Sequence, residues 1–266
     1  ESAMFESSAS ITFVLDLAGN ILRANAAAEQ ITGLPRKDLL IRPFKELLTP
    51  QDSAYFQHWL DSRGPDATEE LRELHLPGPG NEISVLSLRV MPLPGDDQSS
   101  RYHIVSGLDI SERKRAEAQV WHQANYDHLT NLPNRALLLE RTRQAIKQQE
   151  RSGRSVALLF IDLDEFKAIN DNHGHSFGDQ VLVEFAERLR NCVRHQDTAA
   201  RYAGDEFIVL MPVLDSPEQI EQISRRLKDN LRHPVSIGDI KVRLTASIGS
   251  AIYPQDADGL DAMIKR

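Results

Sequence analysis

A short hairpin with two acidic residues at its tip constrains the fold of this chain more than any other stretch. Thr198–Tyr202 and the apolar run Phe207–Met211 are predicted to be strands, and Ala203–Glu206 is the tight turn between them. The turn contains a glycine, which can adopt positive φ. Its acids, Asp205 and Glu206, offer oxygen ligands that Mg²⁺ accepts beside phosphates. Because this composition is also typical of an ordinary solvated turn, the hairpin alone leaves both interpretations open.

A second acidic site follows a predicted central strand. Val156–Ile161 is a continuous apolar run of the length of a fully buried strand, and it ends in Asp162-Leu163-Asp164. Acids at this position lie where a sheet stops and a ligand can enter. Further motifs follow in the order Phe166–Asp171, Gly174-His175 and Gly178-Asp179, which leads into a predicted helix Val181–Val193. Each acid by itself is typical of a helix cap, whereas the ordered set favours a site.

Length and charge limit the classes of protein that this chain can belong to. Its 266 residues suffice for two domains, and 41% hydrophobic and 26% charged residues are typical of a soluble globular protein. Residues 1–110 carry 9 Lys and Arg against 16 Asp and Glu, and the remainder carries 22 against 23. An acidic first part and a nearly neutral second part argue against nucleic-acid binding through a broad basic surface. They are compatible with binding of small anionic ligands through a metal ion.

The compartment is inferred from cysteine content and from the absence of targeting signals. Cys192 is the only cysteine in the sequence and cannot form an intrachain disulfide, which favours a reducing, cytoplasmic environment. No 18-residue apolar run and no signal peptide are present in the sequence. A membrane tether on a segment outside this sequence remains compatible with this expectation.

The first 110 residues alternate short apolar runs with turn signals. Strands are predicted at Leu71–Leu76, Ile83–Leu93 and Tyr102–Leu108, separated by the loops Pro77–Gly80 and Pro92–Ser100. Strands at both ends with short helices between them favour a small antiparallel sheet with helices on one side.

This region resembles a PAS domain. The resemblance lies in Leu15–Glu29, Thr32-Gly33, Thr49–Asp52 and the exit sequence Gly107–Lys114, and it covers residues 1–110. PAS domains commonly sense a small molecule, haem, flavin or redox state, or dimerise. The sequence does not identify the ligand of this one.

A cluster of aromatic residues in the PAS-like region has two interpretations. Tyr55, Phe56, His58 and Trp59 could line a cofactor pocket, with His58 as a haem ligand. The alternative, which we favour, is that they are packing residues on a helix.

Residues 111–126 are predicted to form a charged linker helix. Ala116, Val120 and Ala124 recur every four residues and form a thin apolar seam, but sustained heptads are absent. Its position after a PAS exit sequence favours a signalling helix that pairs with a second copy of the chain. A single rigid connector is the alternative.

Asp127–Arg135 opens the second domain, residues 127–266. Pro133 suits the first turn of a helix, and its buried stripe is predicted to be Leu137, Leu138, Leu139, Thr142 and Ile146. The domain resembles the GGDEF family of diguanylate cyclases. The motifs that carry the resemblance are Asp127–Arg135, Phe160–Asp171, Gly174-His175, Gly178-Asp179, Arg201–Phe207 and Thr245–Gly249.

The resemblance implies an α+β fold. Its expected core is a central, largely antiparallel five-stranded sheet flanked by helices, similar to the polymerase palm and to class III nucleotide cyclases. The whole chain would then be a PAS antiparallel sheet with short helices, a signalling helix and a GGDEF domain. Family domains continue past Met263–Arg266 into a final helix with basic residues, so we expect that helix to be missing here and GTP binding to be weakened.

The resemblance also implies the roles of individual residues. Asp162, the Leu163 carbonyl and Asp205 would hold Mg²⁺ or Mn²⁺ against GTP phosphates, with Glu206 supporting a second metal position. Asp162, Asp205 and Glu206 are thus the candidate catalytic residues. The remaining candidate GTP-binding residues are Asn170 and Asp179, which would recognise guanine, the backbone amides around Phe166 and Lys167, and Gly204.

The turn before the hairpin matches the family's inhibitory RxxD motif. Arg194 and Asp197 would bind the product, cyclic di-GMP, through guanine. The alternative is an i,i+3 salt bridge that closes a helix. One departure from the signature lies nearby, because Ala203 replaces the first glycine; a methyl group there is a small change if φ is negative.

We considered three functions for this sequence. The first is a PAS-regulated diguanylate cyclase that converts two GTP into cyclic di-GMP, inhibited by its product and active as a homodimer through the PAS domain, linker helix and GGDEF domain. The second is a catalytically weak module that binds GTP or cyclic di-GMP and regulates a following EAL phosphodiesterase domain. A purely dimerising scaffold, the third, does not explain Asn170, Asp179 and Asp205.

Overall fold

The computed structural model describes residues 5–6, 8–62, 69–78, 82–94 and 101–265. The chain divides into two compact units, Glu1–Ala118 and Gln119–Arg266. None of the helices in this described part is long and apolar enough to cross a membrane. Parts of both predicted loops, Pro79-Gly80 and residues 95–100, lie outside the described residues.

The first unit contains an antiparallel sheet of five strands in the order β2-β1-β5-β4-β3. The three strands predicted from turn signals are confirmed, and each is slightly longer than its apolar run. The strands are β1 (Ile11–Leu15), β2 (Ile21–Ala24), β3 (Glu69–Pro77), β4 (Ile83–Pro94) and β5 (Arg101–Asp109).

Asn25 fixes the start of the first helix of this unit. Its side chain accepts hydrogen bonds from the backbone N–H groups of Ala28 and Thr12, so one buried amide caps the helix and ties it to β1. The helix ends at Gly33, where φ is 66°. The helices of the unit are α1 (Ala26–Thr32), α2 (Arg36–Leu39), a 3₁₀ turn (Phe44–Leu47) and α3 (Pro50–Ser62).

The aromatic cluster on α3 is divided between the core and the surface. Phe56 and Trp59 are buried, and their rings stack at 5.9 Å. His58 is exposed, so the cofactor-pocket interpretation of that residue is wrong, because helical periodicity turns it away from the core. The histidine inside the unit is His103, which lies edge-on to Trp59 at 5.8 Å; burial lowers its pKa.

The predicted linker helix is α4 (Ser111–Asn125), and the boundary between the two units falls within it. Its apolar seam is exposed, with Val120 65% accessible. Pairing of this seam with a second copy of the chain stays a prediction.

The second unit is built on a four-stranded antiparallel sheet in the order β11-β6-β8-β7. The predicted hairpin is confirmed as β7 (Thr198–Ala203) and β8 (Glu206–Leu214). The central strand is β6 (Ser155–Leu163), and the edge strand beside it is β11 (Ala246–Tyr253).

Helices cover both faces of this sheet. Leu159 and Ile161 of β6 pack in the core cluster that contains α7 side chains, whereas Leu158 packs with Leu138 of α5. Burial on both faces explains the continuous apolar run of β6. The helices of the unit are α5 (Arg135–Ser152), α6 (Phe166–His173), α7 (His175–Cys192), α8 (Glu218–Leu231) and α9 (Leu260–Ile264).

The mixed fold class is confirmed, although the described part of the sheet has four strands where five were expected. The short strands β9 (Val235–Ile237) and β10 (Ile240–Val242) pair with each other across the turn Gly238-Asp239. A two-residue turn closes this pair at low entropic cost, and the pair forms its own two-stranded sheet.

Two helix starts differ from expectation. The helix predicted to begin at Val181 begins at His175, so Gly178 and Asp179, which were expected to precede the helix, lie within it. The first helix of the unit begins at Arg135, where the side chain of Asn134 accepts a hydrogen bond from the N–H of Leu137, so Pro133 lies before the helix.

Candidate functional site

The tip of the β7–β8 hairpin is a two-residue turn. Ala203 pairs with Glu206, and Gly204 and Asp205 make the turn. Gly204 has a φ of 48°, and no atom lies where its Cβ would be, so the requirement for glycine is conformational. Ala203 lies in the strand and is not among the described residues with positive φ, so its methyl group imposes no strain.

The pairing of β6 with β8 brings the acidic residues together at one end of the sheet, here called the carboxylate end (Asp162, Leu163, Asp205 and Glu206). Asp162 lies directly opposite Glu206 in the register. The backbone N–H of Leu163 donates to the carbonyl of Asp205 at 3.4 Å. Residues that face each other across a pair of strands point to the same face of the sheet. The hairpin therefore adds its acids to those of the central strand.

Repulsion between acids defines the electrostatics of the carboxylate end. Although Asp162 is exposed, partial desolvation by neighbouring groups raises the pKa of its carboxyl group, and the negative charges of Asp205 and Asp164 raise it further. Asp164 behaves in the opposite way, because hydrogen bonds from Thr245 and Ser247 lower its pKa. Asp164 is thus an ionised, hydrogen-bonded residue, whereas no cationic side chain in the described part of the chain forms an ion pair with the Asp162 carboxylate.

These residues fit a divalent cation that is shared with a substrate better than a closed metal cage. The described residues contain no group of three His, Cys, Asp or Glu side chains that could hold a metal by themselves. Asp162 and Asp205 nevertheless supply two hard oxygen donors, and a cation between them would relieve the repulsion that raises the pKa of Asp162. Mg²⁺ is commonly held by one or two carboxylates together with substrate phosphates.

A cleft of ≈ 450 Å³ opens beside the carboxylate end. Asp162, Glu206, Tyr202 and Ser247 contribute its polar groups, and apolar residues such as Phe160 complete its wall. The cleft leaves room for a ligand beside the acids.

The segment after β6 places the other candidate GTP-binding residues. Glu165 has a φ of 58°, and the helix α6 starts directly after it with Phe166 and Lys167. The N–H groups of these two residues belong to the first turn, which has no acceptor within the helix. Phe166 is buried and Lys167 is exposed.

Gly178 brings Asn170 against the next helix. A Cβ at Gly178 would lie 1.9 Å from Oδ1 and 2.9 Å from Cγ of Asn170. The carboxamide of Asn170 therefore occupies the space above Gly178, one residue before Asp179. The structure thus brings the two candidate guanine-recognition residues to the same α6–α7 contact.

Arg201 connects the hairpin turn to the segment that precedes α5. Its Nε–H donates to the carbonyl of Gly204 at 2.8 Å, and Nη1 pairs with the carboxylate of Asp127 at 3.0 Å. Asp127 also accepts two hydrogen bonds from Thr130. We call these contacts of Asp127, Arg201 and Gly204 the brace. It fixes the turn that carries Asp205.

The electrostatics of Asp127 reflect this network. Burial alone would raise its pKa, but the hydrogen bonds from Thr130 and Arg201, together with the charge of Arg201, bring the pKa below its ordinary value. The carboxylate is therefore ionised at neutral pH and contributes to stability.

Arg194 and Asp197 lie in a turn after α7. The N–H of Asp197 donates to the carbonyl of Arg194, and the Asp197 carboxylate accepts from the N–H of Arg194, both at 3.0 Å. In the described part of the chain, no ion pair joins the two side chains, so the helix-closing salt bridge is wrong. The motif makes a turn because α7 already ends at Cys192.

Comparisons with known proteins identify the family. Residues 124–266 match the family model described as "Diguanylate cyclase, GGDEF domain", and residues 2–98 match the PAS fold. The chain belongs to the GGDEF domain family. The recognition made from the sequence motifs is thereby confirmed for both regions.

Two bacterial proteins and one solved structure illustrate the similarity. The "Bifunctional diguanylate cyclase/cyclic di-GMP phosphodiesterase MucR" of Pseudomonas aeruginosa is 46% identical over 59% of this chain and 23% of its own length. The "Cyclic di-GMP phosphodiesterase PdeR" of Escherichia coli is 32% identical over 95% of this chain and 38% of its own length. This GGDEF chain therefore spans less than two fifths of either relative.

The solved structure is that of the coiled coil and GGDEF domain of DgcB from Caulobacter crescentus in complex with c-di-GMP. Its TM-score is 0.53 and its sequence identity 27%, over 58% of this chain and 83% of that one. The fold of the second unit is thus that of known GGDEF domains.

Sequence reasoning missed three residues that complete these sites. Asp127 and Arg201 belong to two sequence motifs, but the motifs do not indicate that the two side chains form an ion pair. The residues are 74 positions apart, so their pairing has no local sequence signal. Arg226 of α8 donates to the carbonyl of Cys192 at 3.2 Å, and its charge acts on the buried Asp197. Only the tertiary contact between α7 and α8 shows that relationship.

Replacing Asp127 by Asn should weaken the brace. We expect the free energy of unfolding to fall by about 1.5–3 kcal/mol at pH 7, because the amide keeps the shape but loses charged hydrogen bonds. The folded-state pKa of Asp127 is below its ordinary value, so its contribution is complete above roughly pH 4 and is lost as the pH falls through the lower folded-state value. Urea unfolding at several pH values measures the difference.

The exposed Asp258 offers a matched control, and Asp258→Asn should change little. A difference between Asp127→Asn and the parent that stays constant down to pH 2 would contradict the assigned role of Asp127.

Proposed function

We propose that the second unit is a diguanylate cyclase domain that condenses two GTP molecules into cyclic di-GMP and two pyrophosphates. The observation that carries the proposal is the register of β6 and β8, which sets Asp162 opposite Glu206 and beside Asp205. In the reaction, the ribose 3′-oxygen of each GTP forms a bond to the α-phosphorus of the other. The bond from that phosphorus to the leaving pyrophosphate breaks, and the hydroxyl proton passes to Asp205 or to solvent.

The carboxylate end would bind the metal and the phosphates. Asp162, the carbonyl of Leu163 and Asp205 would hold Mg²⁺ or Mn²⁺, and Glu206 would support a second position. When bound, the metal neutralises charge on the α-phosphate and the leaving pyrophosphate and makes the 3′-hydroxyl easier to deprotonate. The N–H groups of Phe166 and Lys167, at the start of α6, would donate to phosphate oxygens. Gly204 lets the turn approach the nucleotide without a side chain.

Guanine recognition would come from α6 and α7. The carboxylate of Asp179 can accept from N1–H and the N2 amino group of guanine, and Asn170 can both donate and accept. Adenine would leave these groups unmatched. Because Gly178 holds the space for the Asn170 carboxamide, we assign it a positioning role.

Each domain binds one GTP, so the reaction requires two domains in an antiparallel homodimer. We propose that the PAS-fold unit and α4 control the association of the two GGDEF domains, since one continuous helix contains the boundary between the units. We also propose that cyclic di-GMP inhibits the enzyme by binding at Arg194 and Asp197. The c-di-GMP in the DgcB complex supports a product-binding capacity in this family.

A second candidate function is a weak or inactive GGDEF module that binds GTP or cyclic di-GMP and regulates an EAL phosphodiesterase domain. The names of two relatives favour it, because MucR is called bifunctional and PdeR a phosphodiesterase. The complete acidic set of the carboxylate end favours the cyclase instead.

Product analysis distinguishes these functions. The chain is incubated with GTP and Mg²⁺, and the products are separated by anion-exchange chromatography. We expect cyclic di-GMP and pyrophosphate from the parent, and a loss of about 100- to 1,000-fold in Asp205→Ala, the range typical of removing one group that stabilises transition-state charge. GTP that is bound for hours without conversion would instead support the binding module.

The chain supplies a matched control for this variant. Asp239 is also the second residue of a two-residue Gly-Asp hairpin turn, outside the carboxylate end. Asp239→Ala should therefore leave turnover unchanged. Equal losses in both variants would show that turn stability, and not metal binding, sets the rate.

Metal binding can be tested without turnover. In EDTA, Asp162→Asn should have a higher Tm than the parent, because the raised folded-state pKa means that ionising Asp162 costs stability as pH rises above its ordinary value. Adding Mg²⁺ with the α,β-methylene analogue of GTP should raise the Tm of the parent but not of this variant. Asp164→Asn should lower the Tm in EDTA, because Ser247 donates to that carboxylate. A parent Tm that is indifferent to Mg²⁺ with the analogue argues against the site.

The positioning role of Gly178 predicts a separation between affinity and stability. In Gly178→Ala the new methyl group displaces the Asn170 carboxamide, so GTP affinity should fall about 10- to 100-fold as a recognition group is lost. Tm should change little, because alanine favours the helix and a side-chain end can move away. Titration calorimetry with the GTP analogue and a melting curve measure both. Gly259→Ala, where no atom lies near the added Cβ, is the control.

A further inference from the structure

A cleft of ≈ 360 Å³ in the second unit joins the Arg194–Asp197 turn to the segment that follows α4. The turn contributes Arg194, His195 and Asp197 to its lining, and Tyr126 contributes from the other segment. Tyr126 is the first residue after α4 and is half-buried. One wall of the cleft is therefore formed by the residue that directly follows the linker helix.

Asp197 provides the first sign that this cleft is a binding site. The residue is 9% exposed, and its Oδ2 accepts the hydrogen bond from the Arg194 N–H. The other oxygen, Oδ1, is buried without a hydrogen-bond partner in the described structure. Burial raises the pKa of Asp197, which the N–H of Arg194 and the charges of Arg194 and Arg226 oppose. A buried acceptor without a donor is rare and is explained if a ligand supplies the donor.

The arginines that line the cleft differ in their availability. Arg141 donates to the hydroxyl of Thr198 at 3.0 Å, and Arg190 donates to the carbonyl of Asn131 at 3.2 Å. The guanidinium groups of Arg141 and Arg190 are therefore already engaged in hydrogen bonds between segments that line the cleft. Arg194 is exposed, and no hydrogen bond or ion pair involves its guanidinium in the described part of the chain. The cleft thus offers one available cation, Arg194, beside a buried acceptor that no described donor satisfies.

The ring of Tyr126 is held by the last turn of α4. It stacks on His122 with ring centroids 4.4 Å apart and planes 2° apart, and Trp121 meets it edge-on at 5.9 Å. The N–H of Tyr126 also donates to the carbonyl of His122 at 2.9 Å. Because His122 covers one face of the ring, a flat ligand can stack only on the opposite face, and a ring held in this way has little side-chain entropy left to lose on binding.

We infer that Tyr126 is a base-stacking residue of this cleft, so that a purine nucleotide bound at Arg194 and Asp197 is also bound by the end of the linker helix. The inference rests on the proposed binding of cyclic di-GMP at that turn and adds the residue through which the ligand acts on α4. Guanine would donate to Asp197, accept from Arg194 and lie against Tyr126. Binding and the position of the helix end are then coupled, and each must affect the other equally.

The test uses the whole chain and cyclic di-GMP, measured by titration calorimetry and by tryptophan emission. Tyr126→Leu should weaken binding about 5- to 100-fold, the range for loss of one base–aromatic stack, whereas Tyr126→Phe should bind like the parent. Binding of the GTP analogue at the carboxylate end should be unchanged in both variants. In the parent, cyclic di-GMP should change the tryptophan emission, and Trp121→Phe should remove that change. Gln123→Ala, on the exposed part of the same helix turn, is the control.

Arg194→Ala separates the failure of this inference from the failure of the proposed product site. If Arg194→Ala loses affinity for cyclic di-GMP while Tyr126→Leu binds like the parent, the stacking role is wrong and the product site stands. If both variants bind like the parent, the product site and the stacking role are both wrong. Loss in Tyr126→Leu but not in Tyr126→Phe, with unchanged GTP-analogue binding, supports the inference and excludes a folding defect as its cause.

Discussion

The register between β6 and β8 is the constraint on which the candidate catalytic site depends. Side chains alternate between the two faces of a strand, so a shift by one residue would move Asp162 to the opposite face from Glu206. The apolar residues of β6 prevent that shift, because Leu159 and Leu158 fill different cores on the two faces. The packing of these side chains between two cores, together with the turn at Gly204-Asp205, therefore fixes the geometry of the charged groups at the end of the strand.

Stability and electrostatic repulsion are balanced at this end of the sheet. Asp162 and Asp205 repel each other, whereas Arg201 neutralises Asp127 and holds the carbonyl of Gly204 on the other side of the same turn. A hairpin tip without the brace would be free to move its acids apart. We therefore attribute the retention of the repelling carboxylates Asp162 and Asp205 to the adjacent ion pair of Arg201 with Asp127, which lowers the pKa of Asp127.

Features with a local cause were predictable from the sequence, and features with a tertiary cause were not. The hairpin, the buried strand and the motifs of both domains follow from patterns within a few residues. The contact of Gly178 with Asn170 depends on how α6 and α7 pack, and the exposure of His58 depends on which face of α3 meets the core. The salt bridge between Arg194 and Asp197, which the sequence left as the alternative to a product site, is wrong for the same reason, because spacing alone does not show where a helix ends.

The two acidic sites of the second unit differ in the ligand that they favour. At the carboxylate end, the charges of Asp205 and Asp164 raise the pKa of Asp162, so the site favours a cation. At Asp197, one oxygen accepts from the N–H of Arg194 and the other has no donor in the described structure, so this site favours a ligand that donates to Asp197 and accepts from the Arg194 side chain. A metal ion could complete the first site but would be repelled by the arginines of the second. Guanine, which donates from its Watson–Crick edge and accepts at O6 and N7, meets the requirement of the second site.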